Sequence, residues 1–120
     1  MRTVDEWKTV LRDALRAATR ARNLDAVGVL RETLAAIDNA EAADPSAAPP
    51  VGHGAFANSA EGLGAGEVAR RVLSPADVAA LVDRELAERR AAAAQYAGLG
   101  RHDDAARLQR QIDELERLGT

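Results

Sequence analysis

Residues Ser74–Leu118 read SPADVAALVDRELAERRAAAAQYAGLGRHDDAARLQRQIDELERL, and this stretch decides the fold class. Ser74 suits a helix N-cap, Pro75 the first helical position, and Asp77 stands three residues after the cap. Val78, Leu81, Val82 and Leu86 then recur at helical steps, and the apolar side continues through Ala93 to Tyr96. The spacing predicts a helix over about 75–97. The GLG triplet at Gly98–Gly100 stops it. A further helix is expected over about 103–118, with Asp103 and Asp104 suited to its positive N-terminus and an apolar seam of Leu108, Ile112, Leu115 and Leu118. Two amphipathic helices separated by so short a break make an antiparallel hairpin.

The same plan recurs upstream. TVDE at Thr3–Glu6 is a capping-box pattern, with Thr3 as the cap and Glu6 reaching back. Val4, Trp7, Leu11, Leu15 and Ala18 follow as one apolar stripe, so a helix is expected over about 4–22. Asn23 can cap the next helix, over about 24–42, whose predicted seam is Val27, Leu30, Leu34 and Ile37. These two form a second hairpin around Arg20–Asn23. Between the hairpins, residues Asp44–Gly66 read DPSAAPPVGHGAFANSAEGLGAG. Pro45, Pro49 and Pro50, with clustered Gly and Ala, break both periodicities, which marks a long flexible connection. GEVARRVLS at Gly66–Ser74 has room for one or two helical turns. The expected architecture is all-α: a single domain over 1–120, built of two helical hairpins packed as a small four-helix arrangement and joined by a long Gly/Ala/Pro-rich connection.

Composition agrees and excludes several function classes. The chain has 120 residues, one domain's worth, with high Ala and Leu and few β-branched residues. Cysteine is absent, which removes disulfides, thiolate metal sites and thiol nucleophiles and fits a reducing compartment. No apolar run approaches the ~20 residues that cross a bilayer, and the N-terminus lacks a signal-peptide core. A cytoplasmic location and no membrane partner are expected. The net charge of -3 gives no global attraction to nucleic acid. The aromatic residues are Trp7, Phe56 and Tyr96, too few for a base-stacking platform.

Candidate chemical groups are sparse. His53 lies in the Gly/Pro connection and His102 at the turn before the last helix, and neither has a neighbour at metal-ligand spacing. No nucleophile-and-base set and no GxSxG motif is present, so no catalytic residue, metal site or cofactor is expected. The GLGAG run at Gly62–Gly66 lacks the spacing and the lysine of a phosphate loop and reads as part of the connection. Asp83, Glu85 and Glu88 sit among Arg84, Arg89 and Arg90, and Glu85–Arg89 reads as i,i+4 support of an exposed helix face. The most pointed feature is the row Lys8, Arg12, Arg16 and Arg20 at successive steps of four. It makes a cationic stripe about 18 Å long that could bridge successive phosphates. Asp5, Glu6 and Asp13 offset it. Residues 1–42 hold seven Lys/Arg and seven Asp/Glu, so the stripe sits on a hairpin that is neutral overall. A solvated face is the competing reading.

The segment LRETLAAIDNAEA at Leu30–Ala42, together with ERRAAAAQYAGLGRHDDAARL at Glu88–Leu108, resembles the YqeY-like (GatB/YqeY) family. These small bacterial proteins are similar to the C-terminal tail of the GatB chain of glutamine-dependent aminoacyl-tRNA amidotransferase. The family's first helix ends in an "MxARD"-like turn, for which this chain has AATRARN at Ala17–Asn23. Its AAIxNAE motif, led by a leucine-arginine pair, is matched by Leu30, Arg31, Ala35, Ala36, Ile37, Asn39, Ala40 and Glu41. Its later "KRRESIxxFxxxGRxDLA" helix is matched by Arg89 and Arg90, by Tyr96 in the aromatic place, and by Gly100, Arg101 and Asp103 at the turn. The likeness covers about residues 5–42 and 67–118. Members commonly continue into "YLP" and a small C-terminal helical domain, which this chain, ending Leu118–Gly119–Thr120, is expected to lack.

The resemblance implies a non-catalytic helical module assisting tRNA or an amidotransferase complex. The amidotransferase's catalytic centres lie in other domains, so any carbon–nitrogen ligase label with glutamine as amido donor would be inherited through the family alone. A protein-interaction or self-associating module without an RNA role, which would include a homo-oligomer, is the alternative.

Overall fold

The computed structural model describes residues 1–42 and 71–119. These residues contain four α-helices and no strand: α1 Val4–Ala21, α2 Leu24–Glu41, α3 Pro75–Gly98 and α4 His102–Gly119. The fold is all-α, two helical hairpins making a small four-helix domain. The Gly/Ala/Pro stretch 44–66, with His53, Phe56 and the GLGAG run, lies outside the described residues. Two compact units are present, one of Met1–Ile37 with Leu73–Thr120, the other Asp38–Val72. In the second, Ala42 N–H donates to the Asn39 carbonyl at 3.2 Å and Arg71 N–H to the Glu41 carbonyl at 2.9 Å.

Each helix boundary has a local chemical cause. At the start of α1, Thr3 Oγ1 accepts from Glu6 N–H at 3.0 Å and Glu6 Oε1 accepts from Thr3 N–H at 2.8 Å, a complete capping box. Ser74 and Asp77 repeat it at α3, at 3.0 and 2.9 Å, with Pro75 in the first turn. Between α1 and α2 the chain turns in two residues. Arg22 takes the left-handed conformation at φ 57°, Arg22 N–H donates to Thr19 O at 3.1 Å and Asn23 N–H to Ala18 O at 2.9 Å. That pair of bonds is a Schellman motif. Asn23 then turns its side chain forward, and its Oδ1 accepts from Ala26 N–H at 3.2 Å as the cap of α2. One residue thus closes a helix and opens the next.

The α3–α4 turn uses the same motif with the residue that suits it. Gly100 sits at φ 76°, its N–H donates to Ala97 O at 3.1 Å, and Arg101 N–H donates to Tyr96 O at 2.8 Å. The space around Gly100 is open, so a methyl there meets nothing and the cost of a side chain is backbone strain alone. Gly100→Ala is expected to lower stability by about 1 kcal/mol, and Arg22→Gly to raise it by a similar amount. Urea unfolding of both variants against the parent checks the pair.

The core is formed by Trp7, Leu11 and Ala18 of α1, Ala26, Val29, Leu30 and Ile37 of α2, Leu73 before α3, Val78, Val82 and Leu86 of α3, and Ile112 and Leu115 of α4. On α2 the buried face is rotated from the expected one. Leu30 and Ile37 are buried, but Val27 and Leu34 are only half-buried, and Ala26, Val29 and Thr33 fill the inner positions. Thr33 is fully enclosed because its hydroxyl donates to the Val29 carbonyl at 2.7 Å, leaving its methyl to pack. Val4 and Leu15 on α1, Leu81 on α3, and Leu108 and Leu118 on α4 likewise stand half-buried at the margins. Arg2 fastens the entry to α1 to the far end of α4: its guanidinium donates to Leu118 O at 2.7 Å and lies over the Trp7 ring at 4.6 Å. Leu118 O is one of the carbonyls a helix C-terminus cannot bond internally.

Candidate functional surfaces

The cationic row lies along α1. Arg12, Arg16 and Arg20 are exposed and Lys8 half-buried. The row is not uniformly available, because Arg16 pairs with Asp13 on the same face, both side chains well over half exposed. Such an exposed i,i+3 pair contributes little to stability and is easily exchanged for a phosphate. Glu6 has its carboxyl held below the ordinary range, chiefly by the Thr3 backbone N–H and then by the Thr3 hydroxyl, with Arg2 adding attraction. The negative charge of this helix end is thereby engaged in capping, and it is lost only as acid protonates Glu6.

The residues of the two family-like motifs have separable physical duties. Leu30 and Ile37 are core, Ala36 is half-buried, and Arg31 and Asn39 are exposed. Glu41 supplies the carbonyl that Arg71 bonds. Tyr96 carries the Arg101 guanidinium over its ring at 4.9 Å, directly across the turn that Gly100 makes possible. Arg90 pairs across the hairpin with Glu116.

Arg89 corrects the sequence-based expectation. The Glu85–Arg89 pair exists, at 2.8 Å, but it does not lie on an exposed face: the side chains are only 8% and 13% exposed. Arg89 Nε donates to Gln111 Oε1 at 3.3 Å, its Nη1 also donates to the Glu85 carbonyl at 3.3 Å, and its remaining amino group pairs with Glu32. Gln111 Nε2 in turn donates to Asp25 O at 3.3 Å, and Arg110 pairs with Asp25 at 2.8 Å. One guanidinium therefore ties α2, α3 and α4 in a single polar layer. The planar fork of arginine supplies donors in several directions at once, which a lysine cannot do. The signal was present in the spacing, since Val78, Val82, Leu86 and Arg89 fall on one helical face.

Beyond that layer the α3–α4 hairpin changes character. From Arg90 to Gln111 no side chain is fully buried. Ala93, Ala94 and Ala97 of α3 and Ala105 and Ala106 of α4 line a shallow groove of about 630 Å³, with the Arg90–Glu116 pair at its inner end and His102 at its outer end. Leu99, at the apex, is 73% exposed. A second groove, of about 500 Å³, runs beside Trp7, Val82 and Leu86. Trp7 Nε1 is buried without an acceptor. Because that atom is closed to solvent, a molecule entering the groove would not reach it.

His102 is exposed as the first residue of α4. Among the described residues, no three His, Asp or Glu side chains gather as a metal-binding group, and no helix is long and apolar enough to cross a membrane. Comparison of the chain with protein-family models, with curated proteins and with solved structures finds no match.

Proposed function

We propose that this chain is a non-catalytic helical binding module that docks a protein partner through the outer half of the α3–α4 hairpin. The observation that carries the reading is the stretch from Arg90 to Gln111, which holds an alanine-lined groove and an exposed Leu99 without a single buried side chain. Small side chains let another helix approach closely, and helix-in-groove docking draws its affinity from such contact. The YqeY-like resemblance supplies the partner class, a glutamine-dependent amidotransferase complex, and a cytoplasmic setting. Contact with tRNA is the second reading, favoured by the outward position of Arg12, Arg16 and Arg20 on α1.

The two are separated by titrating the purified protein with an amidotransferase complex and, in parallel, with tRNA over a range of salt. Under the protein reading, Ala94→Glu with Ala106→Glu abolishes complex binding, and reversal of Arg12, Arg16 and Arg20 to Glu leaves it intact. Under the RNA reading the charge reversal weakens tRNA binding and flattens its salt slope by about 0.7–0.9 per lost phosphate contact. Light scattering of the protein alone reads self-association, which would make the groove's occupant a second copy. Binding to neither ligand, with a clean monomer, overturns the proposal.

A further inference from the structure

We infer that the outer part of the α3–α4 hairpin, Ala91–Gln109, is an arm that opens and closes as a unit while the remaining core stays folded, with the Arg89 layer as its boundary. Three observations converge on this. Below the layer, α3 and α4 bury Val78, Val82, Leu86, Ile112 and Leu115. Above it, the described residues bury nothing fully, and the half-buried side chains are Ala92, Ala93, Tyr96, Asp104, Ala105 and Leu108. The layer itself is where α2 last engages the hairpin through polar contacts, Glu32 and Asp25 meeting Arg89, Gln111 and Arg110.

The energetics follow from these contacts. Beyond the layer the arm extends α3 over Ala91–Gly98 and holds the first part of α4, His102–Gln109, and most helical stability in proteins comes from tertiary packing, of which these segments have little. The arm's half-buried side chains are mostly alanine, with Tyr96, Asp104 and Leu108, and none belongs to the buried core, so its closing interactions are a small part of the whole. Its termini, in contrast, are held by the buried guanidinium and its partners. Opening of the arm therefore breaks the Tyr96–Arg101 contact and the helix ends at Gly100 but leaves Arg89 bonded to Glu85 and Glu32. Segments with few buried apolar contacts open below the global free energy, as separate cooperative units. An arm of this kind can adjust the angle between its two helices when a partner fills the alanine groove.

Amide hydrogen exchange of the free, full-length protein tests this without any partner, so its outcome is independent of whether the docking proposal holds. Amides between Ala94 and Leu108 are expected to be at least ten-fold less protected than those of Val82–Leu86 and Leu115, and to share one denaturant dependence, smaller than that of the core because less surface is exposed. The decisive comparison is Leu30→Ala. This substitution weakens the folded core in both the closed and the arm-open forms, so core protection falls by roughly two hundred- to nine hundred-fold while arm protection is unchanged. Should the variant fail to fold, Ile37→Val serves in its place, with an expected fall of about five-fold in the core. Equal loss in arm and core, or equal protection in the parent protein, overturns the inference.

Discussion

Leu30→Ala is expected to destabilise the protein by about 3–4 kcal/mol, measured by urea unfolding with the slope compared between variants. Leu30 is fully enclosed, on the face of α2 that also buries Ala26, Val29, Thr33 and Ile37. Shortening it removes apolar surface already withdrawn from water and leaves a void that neighbouring rigid helices cannot fill. The position beside it on the expected seam makes the control. Leu34 is only half-buried, so Leu34→Ala is expected to cost about 1 kcal/mol, because water already reaches part of its side chain. If the two substitutions cost the same, the rotation of α2 described above is wrong.

Arg89→Ala is expected to cost about 3 kcal/mol, the lower end of the range for breaking a buried ion pair. The dominant loss is at Glu85, whose nearly enclosed carboxylate is left without its cation, and at Gln111, whose amide oxygen loses a donor. Glu32 adds little, since its side chain is 65% exposed and returns to water. Arg89→Lys keeps the charge but cannot serve Glu85, Glu32 and Gln111 together, so it should recover only part of the loss. Replacing Arg89 and Glu85 together by Met and Leu removes both charges, and should restore most of the stability. Thermal unfolding of the single, conservative and double variants decides whether the layer holds the helices together through satisfied charge. A double variant as unstable as Arg89→Ala would show that something other than the stranded carboxylate is responsible.

The contrast between Glu85–Arg89 and Arg16–Asp13 explains where sequence reading runs out. Both are charge pairs at helical spacing, and at that level they are indistinguishable. The first is enclosed by two other helices and the second is not. Spacing along one helix reports which residues share a face, but a pair's burial depends on what another helix places over it. Arg89 did fall on the apolar seam of α3 with Glu85 one turn before it, yet its further acceptors, Glu32 and Gln111, come from helices remote in the chain. The capping boxes are the opposite case. Thr3 with Glu6, and Ser74 with Asp77, are each satisfied within one turn, so their chemistry is complete in four residues.

What this sequence determined by itself is therefore everything whose partners lie within about one helical turn. That includes the all-α class, the caps at Thr3, Asn23 and Ser74, the glycine stop at Gly100, and the order of two hairpins. It also carried the motif likeness to YqeY-like proteins, which stays a proposal about partners. Only the tertiary structure decided which face of α2 is inward, that Arg89 is buried and shared among three helices, and that the alanine-rich outer half of α3–α4 stands without a core of its own. Those outcomes depend on how helices approach one another. Packing and charge burial are properties of surfaces brought together from distant parts of the chain, and no local period encodes them.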